Sequence, residues 1–257
     1  MMMTRRTTLF TFGLMLLPWM LAPAAAQQAT SYDNADFDLT AASVTHMVDL
    51  DLLVFEQQVA GTAGRTTPRA RGQLDGAPVL GYVFPTTLPP TAAGFSQTDG
   101  TLALAVTSHP DFDDTPLWDE NRDGNFGNDG VTWHTHWVVL VPDTRVPGGL
   151  SVKAFTKADA VVLPPTNPGM PMYMDSPGYA VTTRAQALRV IVPVSRLWIG
   201  EGAPAFRYDA VTCYMEVSAP AAGDAHAADR DKPMLGVYEV FDVLSGSLTL
   251  PYTVGRR

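Results

Sequence analysis

The sequence predicts an all-β protein, a single antiparallel, sandwich-like domain with long loops. Three observations lead there. Apolar residues recur in short runs rich in Val, Leu and Phe, and glycine and proline separate the runs. Few windows hold a helical period beyond two turns. The chain carries 21 prolines, and a helix interior does not tolerate them. At 257 residues, 46% hydrophobic and 17% charged, the chain has the apolar content for a substantial core.

The elements follow in order. Met1 to Thr8 holds Arg5 and Arg6 and no acid, Leu9 to Leu21 is apolar, and Ala24-Ala25-Ala26 supplies small residues. That order is a secretory signal peptide over residues 1–26, with cleavage expected after Ala26. The apolar stretch is shorter than a membrane span and Pro18 interrupts it. Thr4 to Leu9 resembles a twin-arginine signal, which implies export of a folded protein, although Thr8 stands where that pattern prefers Phe. Residues 27–42 are polar and Ala-rich and read as a flexible lead-in. The β domain is expected over 43–257, with Val44 to Val59 as its first imperfectly alternating run. Val79 to Phe84, Thr101 to Thr107 and Val131 to Val141 follow, the last being the strongest strand. Ala160 to Leu163, Ala187 to Val194, Ala210 to Val217, Leu235 to Leu244 and Leu248 to Tyr252 complete the series. Long loops at 61–76, 108–130, 164–178 and 219–233 are where binding is expected, on a rigid β scaffold.

Composition narrows the function. The net charge is −9, and loss of Arg5 and Arg6 with the signal makes the mature chain more acidic still. An acidic chain without a basic patch is a poor partner for nucleic acid or anionic lipid. One cysteine, Cys213, excludes an internal disulfide, a haem attachment pair and a thiolate zinc cluster. There is no Gly-rich phosphate loop and no Gly-x-Ser-x-Gly elbow. No stretch after the signal is long and apolar enough to span a membrane, so the mature chain is expected in the periplasm or secreted.

The most specific local pattern is Asp119-Glu120-Asn121-Arg122-Asp123-Gly124-Asn125. Oxygen-bearing side chains at alternate positions followed by glycine resemble the first half of an EF-hand-type calcium loop. The resemblance implies calcium at Asp119, Asn121 and Asp123, with the Asn125 carbonyl as a further donor. The twelfth position is Gly130 rather than Glu, so Asp129, Asn128, Asp111, Asp113 or Asp114 must replace the bidentate ligand. The competing reading is a solvated acidic turn.

Directly after that loop comes Trp133-His134-Thr135-His136-Trp137. Residues two apart on a strand share a face, so His134 and His136 present two imidazoles together. Such a pair suits copper or zinc. His109, at the other end of the acidic loop, is the first choice as third ligand, and His46 is the second. The competing reading is a pair of structural histidines bonded to neighbouring loops.

Met170, Met172 and Met174 alternate in a proline-stiffened segment, which reads either as loop packing or as a soft ligand set for copper. Cys213, His226 and Met234 follow the ligand order of blue-copper cupredoxins, but the first two stand 13 positions apart, beyond that family's compact loop. Cys213 is therefore read as a buried, inert thiol.

Three functions remain open. The leading one is an exported metal-binding protein without turnover, stabilised by calcium and holding copper or zinc at His134 and His136. The second is a metal-dependent extracytoplasmic enzyme in which His134, His136 and His109 leave one coordination position open. The third is a metal-independent envelope binding module. Convergence of His109 or His46 on the pair, with a cavity opening there, favours the second. Convergence of Met172 or Met174 favours copper handling, and convergence of none of them favours the third.

Overall fold

A computed structural model describes residues 31–112, 122–125, 131–156, 158–200, 202–219 and 231–257. Among these residues the protein is all-β. The described residues hold two single-turn 3-10 segments, Pro90–Ala93 and Val194–Arg196, and no helix long and apolar enough to cross a membrane. The strands are β1 (Leu39–Met47), β2 (Leu52–Val59), β3 (Pro78–Pro85), β4 (Thr101–Ser108), β5 (His134–Pro142), β6 (Leu150–Val152) and β7 (Met174–Asp175). They continue as β8 (Ala180–Arg184), β9 (Ala187–Pro193), β10 (Arg207–Tyr208), β11 (Val211–Val217), β12 (Leu235–Val243), β13 (Tyr252–Thr253) and β14 (Gly255–Arg256).

The antiparallel expectation holds, with one parallel pairing, β1 to β14. The sandwich expectation gives way to a closed barrel. Strands β4, β3, β11, β12, β6 and β5 pair in that order, and β4 pairs again with β5, so six strands form a ring. A five-stranded sheet, β14-β1-β2-β9-β8, lies outside it. Gly100 makes the closing seam possible. It sits at φ +134°, and a Cβ there would stand 2.8 Å from the Leu140 carbonyl oxygen.

The two-residue period of each strand explains two separate cores. On β3, β4 and β5, Leu80, Tyr82, Phe84, Leu102, Leu104, Val106, Trp137 and Val139 face outward and pack with Leu53, Phe55, Leu188 and Val190 of the covering sheet. The intervening residues, among them Val79, Val83, Ala103, Ala105, Val138 and Leu140, face inward and meet Val211, Cys213, Met215 and Val237. Barrel strands buried on both faces read as continuous apolar runs, which is why β3 and β11 have no exposed residue. Cys213 is buried as expected, and burial pushes its thiol up to about 12.

Two expected boundaries shift. Val44 to Val59 is a hairpin of two strands turning at Val48 to Asp51, where Asp51 takes φ +51°. Strand β1 begins at Leu39, inside the stretch 27–42 expected as a lead-in. Phe37 explains the early start: it is fully buried, with its ring 5.3 Å from Tyr82 and 5.1 Å from Phe241. Next to it the buried Asp36 carboxylate accepts from the Thr62 N–H, the Thr66 hydroxyl and Arg65. Burial opposes its ionisation, yet those donors hold its pKa below the ordinary carboxylate value. Residues 160–163 form no strand, and of the expected run Leu248 to Tyr252 only Tyr252 enters one, β13.

The turn from β5 to β6 carries a second clamped carboxylate. Asp143 accepts from the Arg145 backbone and guanidinium (3.0, 2.9 and 2.6 Å) and from the Ser151 hydroxyl (2.8 Å). The Arg145 guanidinium, chiefly, holds Asp143 down at about 2. A carboxylate more acidic folded than unfolded stabilises the fold above its unfolded pKa of 3.8, and that stability is lost as pH falls towards about 2. Arg145→Ala should therefore lower stability at neutral pH and flatten its dependence between about pH 4 and 2. Urea unfolding across that range checks this, and an unchanged slope would show that Asp143 is held by other groups.

Candidate metal centre

The barrel seam builds the site. In the β4–β5 register Thr107 lies opposite His134 and Ala105 opposite His136. Both histidines therefore point into the barrel, as the His-x-His spacing predicts. His109 follows the end of β4 on the same inward parity. The three rings are buried, and one ligand nitrogen from each lies within 4.8 Å of the others. His109 was the first-choice third ligand, and the structure brings it to the pair. The second choice, His46, belongs to β1 in the covering sheet, and its Nε2 stands 3.5 Å from Asp51. His226 lies outside the described residues.

Two of the rings have a backbone carbonyl beside Nδ1. His134 Nδ1 is 2.7 Å from the Thr132 carbonyl, and His109 Nδ1 is 3.2 Å from the Phe112 carbonyl. A carbonyl only accepts, so these contacts favour the tautomer with hydrogen on Nδ1, in which Nε2 is the ligand nitrogen. Those two Nε2 atoms face each other at 2.9 Å. Two lone pairs at that distance repel unless a positive charge lies between them, either a shared proton or a metal ion. Nδ1–H bonded to a backbone carbonyl is also the usual outer support of a metal-binding imidazole. Two nitrogens on one tetrahedral zinc stand roughly 3.3 Å apart, so the His109–His134 pair would open by a few tenths of an ångström and His136 would draw in towards them.

The third ring is oriented by a residue outside the sequence expectations. Strand β7 pairs with β5 through Trp137–Asp175 and Val138–Met174, which brings Ser176 beside His136. The Ser176 hydroxyl is 3.0 Å from His136 Nδ1. The signal was present in the sequence: Ser176 continues the alternate series Met170, Met172, Met174. Two more supports were missed. Phe112 stacks on the His109 ring at 3.9 Å with planes 2° apart, and the Thr107 hydroxyl lies 3.4 Å from His134 Nε2. The methionines pack in the barrel core, and Met170 and Met174 share a cavity wall with His109 and His136.

The calcium-like loop is only partly described. Asp119, Asn121 and Asp129, with Asp113, Asp114 and Asn128, lie outside the described residues. Asp123 and Asn125 are exposed, and the Asn125 N–H donates to the Asp123 carboxylate at 2.8 Å. Gly124 takes φ +80°, the turn geometry expected of it. Asp111, one possible replacement ligand, instead accepts from the Arg71 and Gly72 N–H groups at 2.8 and 2.7 Å.

No family model, no curated protein and no solved structure matches the chain.

Proposed function

We propose that this is an exported metal-binding protein that holds one copper or zinc ion on His109, His134 and His136. The observation that carries the reading is the cluster itself: three buried imidazoles with one ligand nitrogen from each within 4.8 Å of the others, the Nε2 atoms of His109 and His134 standing 2.9 Å apart. Imidazole nitrogens on a rigid seam suit either metal. Export rests on the signal-like order of residues 1–26, and places the protein in the periplasm or outside the cell.

Elemental analysis and X-ray absorption on the full chain purified from its own compartment test this. The expected result is one copper or zinc per chain, with three imidazole nitrogens around it. No ion at stoichiometry, even after loading, would leave a proton shared between His109 and His134. Acid should release the ion, because protons compete for the same nitrogens.

A metal-dependent enzyme is the second reading, favoured by a cavity that meets the histidines inside the barrel. Three protein ligands and one open position are the usual form of catalytic zinc. The acidic loop is proposed to hold calcium on Asp119, Asn121, Asp123 and Asn125, with Asp129 completing the set. A calcium-selective chelator should then lower the melting temperature, since a ligand bound only by the native state stabilises it. An unchanged melting curve in excess chelator would leave a solvated turn.

A further inference from the structure

The barrel encloses a cavity of about 80 Å³. One water needs roughly 10–15 Å³ on this measure, so the space takes several heavy atoms. Its wall is apolar for most of its length, through Val79, Ala105, Val138, Val211, Cys213 and Val237. Thr107, His109 and His136 supply polar groups at one end, and Pro85, Val243 and Leu248 lie towards the other. Small residues help keep it open. Ala105 sits midway along β4. On β3, Gly81 leaves its place to the Met215 methyl, which would stand 2.9 Å from a Cβ there. An apolar cavity of this kind stays dry and takes apolar guests.

We propose that the barrel binds a straight-chain aliphatic carboxylate, with its chain along the barrel and its head at the three-histidine centre. Shape selects the chain. The cavity lining runs from Thr107 and His109 at one end to Pro85, Val243 and Leu248 at the other, so a slender guest fits better than a compact one. Met170, Met174 and Met215 line it, and thioether side chains re-pack around a guest at little cost. Charge selects the head. A dication on three neutral imidazoles keeps two positive charges beside an apolar wall, and an anionic oxygen donor offsets them. The choice of head rests on the metal reading above, whereas the chain site rests on the cavity alone.

Calorimetric titration of the zinc-loaded full chain with acetate, butyrate, hexanoate and octanoate tests this. Each added methylene should strengthen binding about threefold to fourfold until the chain fills the cavity. Ala105→Phe should remove that gain at least tenfold, read as the ratio of octanoate to acetate affinity so that any change at His136, which stands opposite Ala105, cancels. Met215→Ala, which lengthens the space, should move the optimum to a longer chain, and it serves if Ala105→Phe does not fold. Octan-1-ol titrated into the His134→Ala protein separates the two readings. Retained binding that Ala105→Phe abolishes supports the chain site even where zinc fails to bind. Equal affinity for acetate and octanoate in a zinc-loaded protein, with no binding of octan-1-ol, would overturn the chain site and leave the metal centre standing.

Discussion

Replacing His134 or His136 with alanine is expected to abolish stoichiometric copper or zinc while leaving the calcium response in place, because calcium takes oxygen donors. The strand that carries both residues is anchored by groups other than their rings. Trp137 and Val139 face the covering sheet, and the backbone pairs with β4, β6 and β7. Far-UV circular dichroism should therefore change little. His109→Ala should behave in the same way, since its Nε2 is one of the two that converge. Ser176→Ala is expected to be milder, roughly 10–100-fold in metal affinity, as for other groups that orient a ligand without touching the ion. Metal analysis after dialysis checks all four variants. Wild-type stoichiometry in the His134→Ala/His136→Ala double variant would end the metal reading.

Trp137→Ala should have the largest effect on stability. Trp137 is 1% exposed and is the largest fully buried side chain among the described residues. Its ring meets Phe55 of β2 edge to face at 6.3 Å, and its indole N–H donates to the Tyr179 hydroxyl at 3.3 Å. Truncation leaves a cavity between barrel and sheet, and such changes cost about 3–5 kcal/mol. The side chain points away from the histidines, so metal stoichiometry should survive wherever the variant folds. Urea unfolding measures the loss. A change below about 1 kcal/mol, the range of surface substitutions, would mean that the outer face of β5 is not a core face.

The legibility of this chain follows the range of its interactions. The histidine pair was readable because strand periodicity is local: His134 and His136 share a face whatever the sheet does. His109 was readable as the third member of the cluster because the acidic loop leaves one strand end and returns to the next. The barrel was not readable, because closure depends on β3 meeting β11 and β4 meeting β5, and no local pattern encodes a second partner for β4. Val44 to Val59 hid a hairpin, since Asp49-Leu50-Asp51 continues the alternation and nothing there marks a turn except Asp51 at positive φ. Ser176 went unnoticed because a two-residue strand, β7, delivers it. Phe37 was absorbed into a polar segment whose average composition masks one fully buried ring.

The seam between β4 and β5 also bears on the order in which the protein assembles. His109 and His134 are 25 positions apart in sequence, whereas the edge of β3 that faces away from β4 must wait for β11, far later in the chain. Closing a short loop costs less chain entropy than closing a long one, and local pairings form sooner. An ion held across this hairpin would clip β4 to β5 while the rest of the ring was still open. Metal supply would then set the rate at which the barrel closes, and protein refolded in a chelator should reach its native state more slowly than protein refolded with zinc.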